Sequence, residues 1–325
     1  MSDYYEPTIA DQDAQSLENK LVRKALTKLP EPYISGLKLN ADIEINGLTL
    51  NTIDENNVVW VVSDIQGWWN LPESEIPDLP RGWGDGSYDA IGRFSTRNIN
   101  LVGSFLTQDP SQVPAARSAL LNAVNLVKSG GWLIVDENPK KAAYVRLTDS
   151  PQIKSVSARG RHDFSIGLVA NDPIKYEYVD GSEDGYRVTT LTATGGGTAT
   201  ANVVNSGDVA VPIVIELSKG FIVDDPDLPA TITNTASDQV ITVIEGTESD
   251  TKLEIDTYNR EVLDVEYTLN PETSLDEVTN VTNARSKVSV LVDWIYLQPG
   301  TNTITLANFP SGSTCTIYYR SGWLS

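Results

Sequence analysis

The stretch NNVVWVVSDIQGWWNLPESEIPDLPRGWGDGSYDAIGRFSTRNINLVGSF, residues 56–105, carries the signals that decide the fold. A run of β-branched and aromatic residues at 58–62 predicts a buried strand that ends at Gly67. A polar loop follows, in which three prolines and four glycines oppose regular structure. RNINLVGSFL, residues 97–106, then predicts a second strand. The centre of the chain is therefore expected to be β-structure around one long loop.

The sequence on either side continues this pattern. LKLNADIEINGLTLNT, residues 37–52, alternates around Asn46-Gly47 and predicts a β-hairpin. PAARSALLNAVNLVKSG, residues 114–130, has a proline in its first turn and glycines past its end, which predicts a helix. WLIVDEN, AAYVRLTD, QIKSVSAR and DFSIGLVAND predict four more strands. Residues 36–180 are thus predicted to form a mainly β domain with one central helix.

The two ends of the chain have different patterns. Between Ala14 and Leu29 apolar residues recur at helical spacing, so residues 1–35 are predicted to be a helical extension. Such a short helix needs a surface, either its own domain or a neighbouring subunit. Residues 181–325 contain short alternating strands between turns, which predict a β-sandwich. The turn at 179–185 is the predicted domain boundary.

Composition argues against several classes of function. The 24 basic and 44 acidic residues give a net charge of −20, which disfavours general electrostatic binding to nucleic acid or to an anionic membrane. His162 is the only histidine and Cys315 the only cysteine, which excludes multi-histidine metal sites and an internal disulfide. No apolar run approaches the ~18 residues of a spanning helix. We therefore expect a protein without enzymatic activity, cofactor or metal, made in a cytoplasm.

Isolated motifs do not change this expectation. Asp180, Ser182 and Asp184 match the start of a calcium loop, but position twelve is Leu191 and not glutamate. Asp136 and Glu137 are adjacent in a strand, so they face opposite sides and do not make a glycosidase pair. His162 is predicted to be a surface or turn histidine. Cys315 lies in an alternating strand and is predicted to be a small buried residue.

Two stretches resemble a known family. Residues 56–105 resemble the N-terminal ring domain of siphophage distal tail proteins (Dit), called minor tail proteins in phages of actinobacteria. WIYLQPGTNTITLANFPSGSTCTIYYRSGWLS, residues 294–325, resembles the end of the galectin-like C-terminal domain of the same family. The positions of the first stretch that match are Trp60, Gly67, Trp68, Pro72, Asp85, Gly86, Ser87, Tyr88, Arg97, Leu101 and Gly103.

The resemblance implies a mainly β protein with a ring-forming, β-barrel-like domain that contains one helix, followed by a galectin-like sandwich. It implies a virion location at the tail tip, in a homo-hexameric ring between tail tube protein and tip hub protein. The tape-measure protein and then genomic DNA pass through the bore, receptor-binding proteins are further expected partners, and no membrane is involved.

Aromatic residues concentrate in the cores of interfaces, and five of the seven tryptophans lie in residues 36–180. The candidate subunit or partner interface consists of Trp68, Trp69, Trp83, Tyr88, Arg93 and Arg97. A carbohydrate-binding tail adhesin, which would use the sandwich, is the main alternative to the tail ring. An enzyme that acts on cell-wall polymers is a weaker one.

Overall fold

The computed structural model describes residues 42–325, apart from 84, 86, 89–90, 108, 127, 157–160, 182–184, 196, 219–227, 270–275 and 290–292. The predicted extension 1–35 lies outside these residues. The described chain is mainly β, as predicted, and its hydrophobic residues form two separate cores. The first core draws on residues 43–170, and the second on residues 191–319. The domain boundaries themselves stay a prediction.

The first half of the described chain contains thirteen strands and the helix α1 (Val113–Ala123). The strands are β1 (Ile43–Ile45), β2 (Leu48–Leu50), β3 (Val59–Gln66), β4 (Ser74–Glu75), β5 (Leu79–Pro80), β6 (Ser87–Tyr88), β7 (Arg93–Phe94), β8 (Arg97–Leu106), β9 (Gly131–Val135), β10 (Lys141–Leu147), β11 (Gln152–Ser155), β12 (Arg161–Ala170) and β13 (Lys175–Glu177).

The second half contains thirteen more strands. They are β14 (Arg187–Thr192), β15 (Ala199–Asn205), β16 (Val211–Pro212), β17 (Val214–Leu217), β18 (Ala230–Asn234), β19 (Gln239–Val243), β20 (Thr251–Asp256), β21 (Glu261–Leu269), β22 (Asp276–Asn283), β23 (Tyr296–Leu297), β24 (Gly300–Ala307), β25 (Thr314–Tyr319) and β26 (Gly322–Trp323).

The first core is covered by a ten-stranded sheet with the path β2-β1-β9-β10-β12-β8-β3. Strand β11 pairs with β12, and β13 pairs with both β10 and the C-terminal strand β26. The two end strands of this path, β2 and β3, do not pair with each other, so the sheet is open and does not close into a barrel. The last strand of the chain thus belongs to the first sheet.

Two motif glycines explain why the central strands pack so closely. A Cβ on Gly67, whose φ is +83°, would stand 1.9 Å from the carbonyl oxygen of Asn98. A Cβ on Gly103 would stand 2.3 Å from the carbonyl oxygen of Val61 and 2.5 Å from the ring of Phe164. Neither contact is possible, so only glycine permits the packing of β3, β8 and β12 that is observed.

The hairpin and the helix test the local predictions. Asn46 and Gly47 both have positive φ, as a two-residue turn between β1 and β2 requires, so the predicted hairpin is confirmed. Helix α1 begins as predicted but ends at Ala123, well before Gly130. Val124 and Leu126 are both buried. Residues two apart point to different sides of a helix, so the backbone leaves the helix to bury both.

The second core lies between two sheets, as the predicted sandwich requires. The six-stranded sheet has the order β14-β25-β17-β20-β21-β22, and the four-stranded sheet has the order β15-β24-β18-β19. Residues of both sheets, such as Ile317 and Ile255 in one and Ile304 and Ile232 in the other, share the core. Alternate residues of each strand supply it, which is the period-two pattern of the sequence.

Candidate interaction surface

The segment 71–94, here called the arm, contains the long polar loop that the sequence predicts at 71–93. Most of its described residues form no helix or strand, but it also contains short strand pairs that the sequence does not predict. The arm folds back on itself as two short strand pairs: β4 with β7, and β5 with β6. Each pairing joins only two residues per strand, and Pro80 takes part in one of them. A strand of two residues is too short to show an alternation of apolar and polar residues. The prolines and glycines of the segment therefore indicate a loop, and no pattern indicates the strands.

The arm exposes more apolar side chain than a solvated loop needs. Trp83 is 97% exposed and Ile91 is 96% exposed, the highest values among the large hydrophobic residues described. The other large apolar residues of the arm that are exposed are Leu71, Ile76, Tyr88 and Phe94. Because this many apolar groups on one short segment favour association, the arm is the candidate interaction surface of the chain.

Polar contacts on the arm are weak ones at the surface. Arg93 forms an ion pair with Glu75 at 2.8 Å, in which both side chains are more than half exposed. The guanidinium of Arg81 lies 5.9 Å from the ring centre of Tyr88. Solvated pairs of this kind contribute little to stability. These two contacts of the described arm residues therefore do little to hold the arm in place.

Two of the six candidate interface residues lie elsewhere, in the interior. Trp68 and Arg97 are 0% and 1% exposed, so neither offers a surface to a neighbouring subunit. Trp69, the next residue, is 38% exposed. Trp83, Tyr88 and Arg93 lie on the arm. The structure thus brings Trp68 and Arg97 together in the interior. The exposed candidates are Trp69, Trp83, Tyr88 and Arg93.

The buried pair belongs to a group that we call the junction cluster: Trp68, Arg97, Glu137 and Lys175. Trp68 donates its indole N–H to Glu137 Oε1 at 2.7 Å. Lys175 donates to the carbonyl of Trp68 at 3.0 Å, with its ammonium 5.2 Å from the indole ring centre. Arg97 donates to backbone carbonyls of five residues: Gly67, Trp68, Asn70, Pro173 and Leu324.

The cluster ties distant parts of the chain together. Arg97 donates to the carbonyl of Leu324, which directly follows β26, at 2.7 Å, beside the pairing of β26 with β13. A guanidinium has five N–H donors in a fixed fork, which suits a site where several carbonyls converge. Burial lowers the pKa of Lys175 to about 8, and Arg97 and Lys141 add to this lowering. The nearby Glu137 and Asp208 oppose it.

Two single residues are placed clearly by the structure. His162 was predicted at the surface, but it is 6% exposed and its ring stacks on Phe105 at 5.0 Å. His162 lies in β12 on the same face as the buried residues Phe164 and Ile166. Because alternate residues of a strand share a face, its position in the strand places it in the interior. Cys315 is fully buried, as predicted, and burial raises the pKa of its thiol to about 12.

Other features bear on function classes. Asp180, the first residue of the calcium-like motif, pairs with Lys140 at 2.7 Å, while Ser182 and Asp184 lie outside the described residues. In the described part of the chain, no group of three or more His, Cys, Asp or Glu residues is placed to hold a metal ion. Nor does any helix in that part have the length and apolar character to span a membrane.

The described part of the chain, with its open ten-stranded sheet, its helix α1 and its sandwich, has a fold similar to that of a phage distal tail protein. In particular, the chain is similar to the Dit protein of phage SPP1, with a TM-score of 0.56 and 14% sequence identity. The match covers 86% of this chain and 98% of that one. The resemblance suggested by residues 56–105 and 294–325 is therefore confirmed at the level of the fold.

Chains of the phage P2 baseplate in its activated conformation are also similar. The structure with Ca matches at 10% identity with a TM-score of 0.42, and the structure with Sr at 11% identity with a TM-score of 0.40. Both matches cover 86% of this chain and 98% of the other. No protein-family model and no curated protein matches the chain.

Proposed function

We propose that the chain is a structural protein of a long, non-contractile phage tail tip. Six copies close a ring that joins the tail tube to the tip hub and the receptor-binding apparatus. The observation that carries the proposal is the fold shared with SPP1 Dit, which is described as a hub adsorption protein of phages that infect Gram-positive bacteria. Residues 36–180 build the ring, and residues 181–325 lie outside it.

The arm supplies the contact between subunits. A ring needs a heterologous interface, in which one surface of each subunit meets a different surface of the next. An apolar projection such as the arm is suited to this role, because Trp83 and Ile91 gain most by losing water. Aromatic side chains such as Trp83 and Tyr88 add contact area with few rotatable bonds.

The charge of the chain fits a particle that carries DNA in transit. Residues 36–180 hold 18 acidic and 13 basic side chains, and residues 181–325 hold 20 and 7. A net negative ring does not retain a polyanion in its bore. Because most of the excess lies in the outer region, its main effect is solubility in a crowded particle. The role is structural, without catalysis.

The oligomeric state of the purified full-length chain tests this proposal. Light scattering and negative-stain microscopy are expected to find hexameric rings. A double variant of the arm, Trp83→Ser with Ile91→Ser, is expected to shift the population to monomers without changing the fold, because both residues are almost fully exposed in the single chain.

A matched control is Val278→Ser, on β22 in the sandwich, which removes an exposed apolar side chain outside the arm. The control is expected to assemble like the parent chain. A monomeric parent chain at every concentration would contradict assembly into a homo-oligomer. Rings that form equally well from the arm double variant would remove the arm from the interface.

A further inference from the structure

A cleft of about 400 Å³ lies between the two halves of the chain. One wall comes from β9, β10 and the segment before β13, and the other from the sandwich strands β17 and β20 and their turns. Its size is in the range of small-molecule sites, and sites of this kind favour the boundary between structural units. Neither the arm nor the junction cluster lines it.

Aromatic rings form much of the lining. Trp132 and Tyr144 meet edge to face with ring centres 5.3 Å apart. The guanidinium of Arg320 lies 4.6 Å from the ring centre of Trp132 and 4.0 Å from that of Tyr186. Tyr144 and Tyr258 are 43% and 57% exposed. The buried Arg320 thus fixes two rings, while Tyr144 and Tyr258 keep open surface for a ligand.

The polar groups of the cleft are held in position by the chain itself. Asp172 accepts from the hydroxyl of Tyr176 at 2.6 Å and from the backbone of Ile174 at 3.0 Å. Asp256 accepts from the backbone of Tyr258 at 2.8 Å and from the side-chain amide of Asn259 at 2.7 Å. A carboxylate oxygen has lone pairs for two hydrogen bonds. Both oxygens of Asp172 and Oδ2 of Asp256 accept one of these bonds each, so both carboxylates keep capacity for a ligand hydroxyl.

The charges of the lining cancel. Arg146 and Arg320 carry two positive charges, and Asp172 and Asp256 carry two negative ones. In a chain with a net charge of −20, this balance is a local exception. A charged ligand would meet opposing groups of both signs. A neutral ligand with many hydroxyls, in contrast, finds donors and acceptors in fixed positions beside aromatic faces.

We propose that this cleft binds a neutral saccharide, with one pyranose ring between the aromatic walls. The C–H face of the ring packs on Tyr258 and Tyr144, whose apolar faces exclude water. Asp172 and Asp256 accept from its hydroxyls, and Arg146 and Asn259 donate to them. This site lies between the two halves and not within the sandwich, so it differs from the predicted adhesin, and it does not depend on ring assembly.

The test is binding of the full-length chain to an array of neutral and acidic oligosaccharides, followed by titration of the neutral ones by saturation-transfer NMR. Saturable binding of neutral oligosaccharides is expected. Tyr258→Ala is expected to weaken it at least about tenfold, as loss of one good contact does. Asp256→Asn is expected to weaken it as well. The matched control is Val278→Ala, which removes a similarly exposed apolar side chain on β22 outside the cleft lining and is expected to bind normally.

Several results would overturn the proposal. An array without any neutral ligand would do so, and so would binding that survives both Tyr258→Ala and Asp256→Asn. Binding of acidic oligosaccharides alone would contradict the argument from charge. If Tyr258→Ala disrupted rings and no saccharide bound, the cleft would be a contact for a neighbouring subunit. Thermal melting of each variant, expected to match the parent chain, distinguishes lost binding from lost folding.

Discussion

The junction cluster and the arm contain the same kinds of residue in opposite surroundings. Trp68 is fully buried, whereas Trp83 is almost fully exposed; Arg97 is buried, whereas Arg93, four residues earlier, points into solvent. The cluster satisfies its polar groups within the chain, and the arm leaves its apolar groups without cover. Residue type alone therefore does not separate the buried cluster from the exposed candidate surface, while burial and hydrogen bonding do.

Replacing each arginine in turn is expected to show the largest difference between the junction cluster and the arm. Arg97→Met leaves several buried carbonyls without their donor, and each such group costs about 1–3 kcal/mol, so the total loss is expected to exceed about 3 kcal/mol. Arg93→Met removes only a solvated ion pair and is expected to cost less than about 1 kcal/mol. Equilibrium unfolding in urea, followed by fluorescence, measures both.

Equal losses from the two variants would contradict the contrast. The transition that reports the first core is the relevant one, because the chain has two cores and need not unfold in one step. Arg97→Lys is a useful second variant. A lysine keeps the charge but lacks the fork, so it is expected to lie between the parent chain and Arg97→Met.

Much of the fold follows from alternation in the sequence. Strand β8 has the bounds that RNINLVGSFL predicts, and its buried residues are every second one. The same phase includes Arg97 with Ile99 and Leu101, and it places His162 with Phe164 in β12. The alternation along both strands thus indicates that Arg97 and His162 are buried. The prediction placed them at the surface because arginine and histidine are polar residues.

Other features have no local signal. The pairing of β13 with β26 joins Lys175 to Trp323, nearly 150 residues later, and nothing in either segment indicates the other. Trp68 comes after Gly67 and after the register shift in β3. The alternation of faces that starts at Trp60 therefore does not predict which face of the sheet Trp68 lies on. The cleft, too, arises only when β9, β10 and the turn after β20 come together, which is a tertiary event.

A smaller effect distinguishes the buried lysine from the exposed cations. The pKa of Lys175 is about 8 in the folded chain and 10.4 in an unfolded one, so below pH 8 both states carry the proton and burial of the charge lowers stability. Between pH 8 and 10 the unfolded state binds more protons, and stability therefore rises with pH. The expected gain between pH 7 and 9.5 is about 1–2 kcal/mol.

Lys175→Met isolates this gain. Cys315, whose raised pKa has the opposite effect above pH 9, titrates alike in both proteins, so the difference between their unfolding free energies reports Lys175 alone. The carbonyl of Trp68 keeps Arg97 as a donor in the variant. We expect the variant to be the more stable protein at pH 7 and the two to converge at pH 9.5. A difference that does not change with pH would contradict the lowered pKa.

The smallest expected effect concerns the ion pair between Arg93 and Glu75 on the arm. A double-mutant cycle with Arg93→Ala and Glu75→Ala is expected to give a coupling of about 0.2–1 kcal/mol in the single chain, and to lose most of it in high salt. Both side chains are largely hydrated, so little is gained when they meet. A large coupling that persists in salt would mean that the arm is stiffened by its own residues before assembly. A small one means that β4 and β7 are held together mainly by backbone pairing and not by this ion pair.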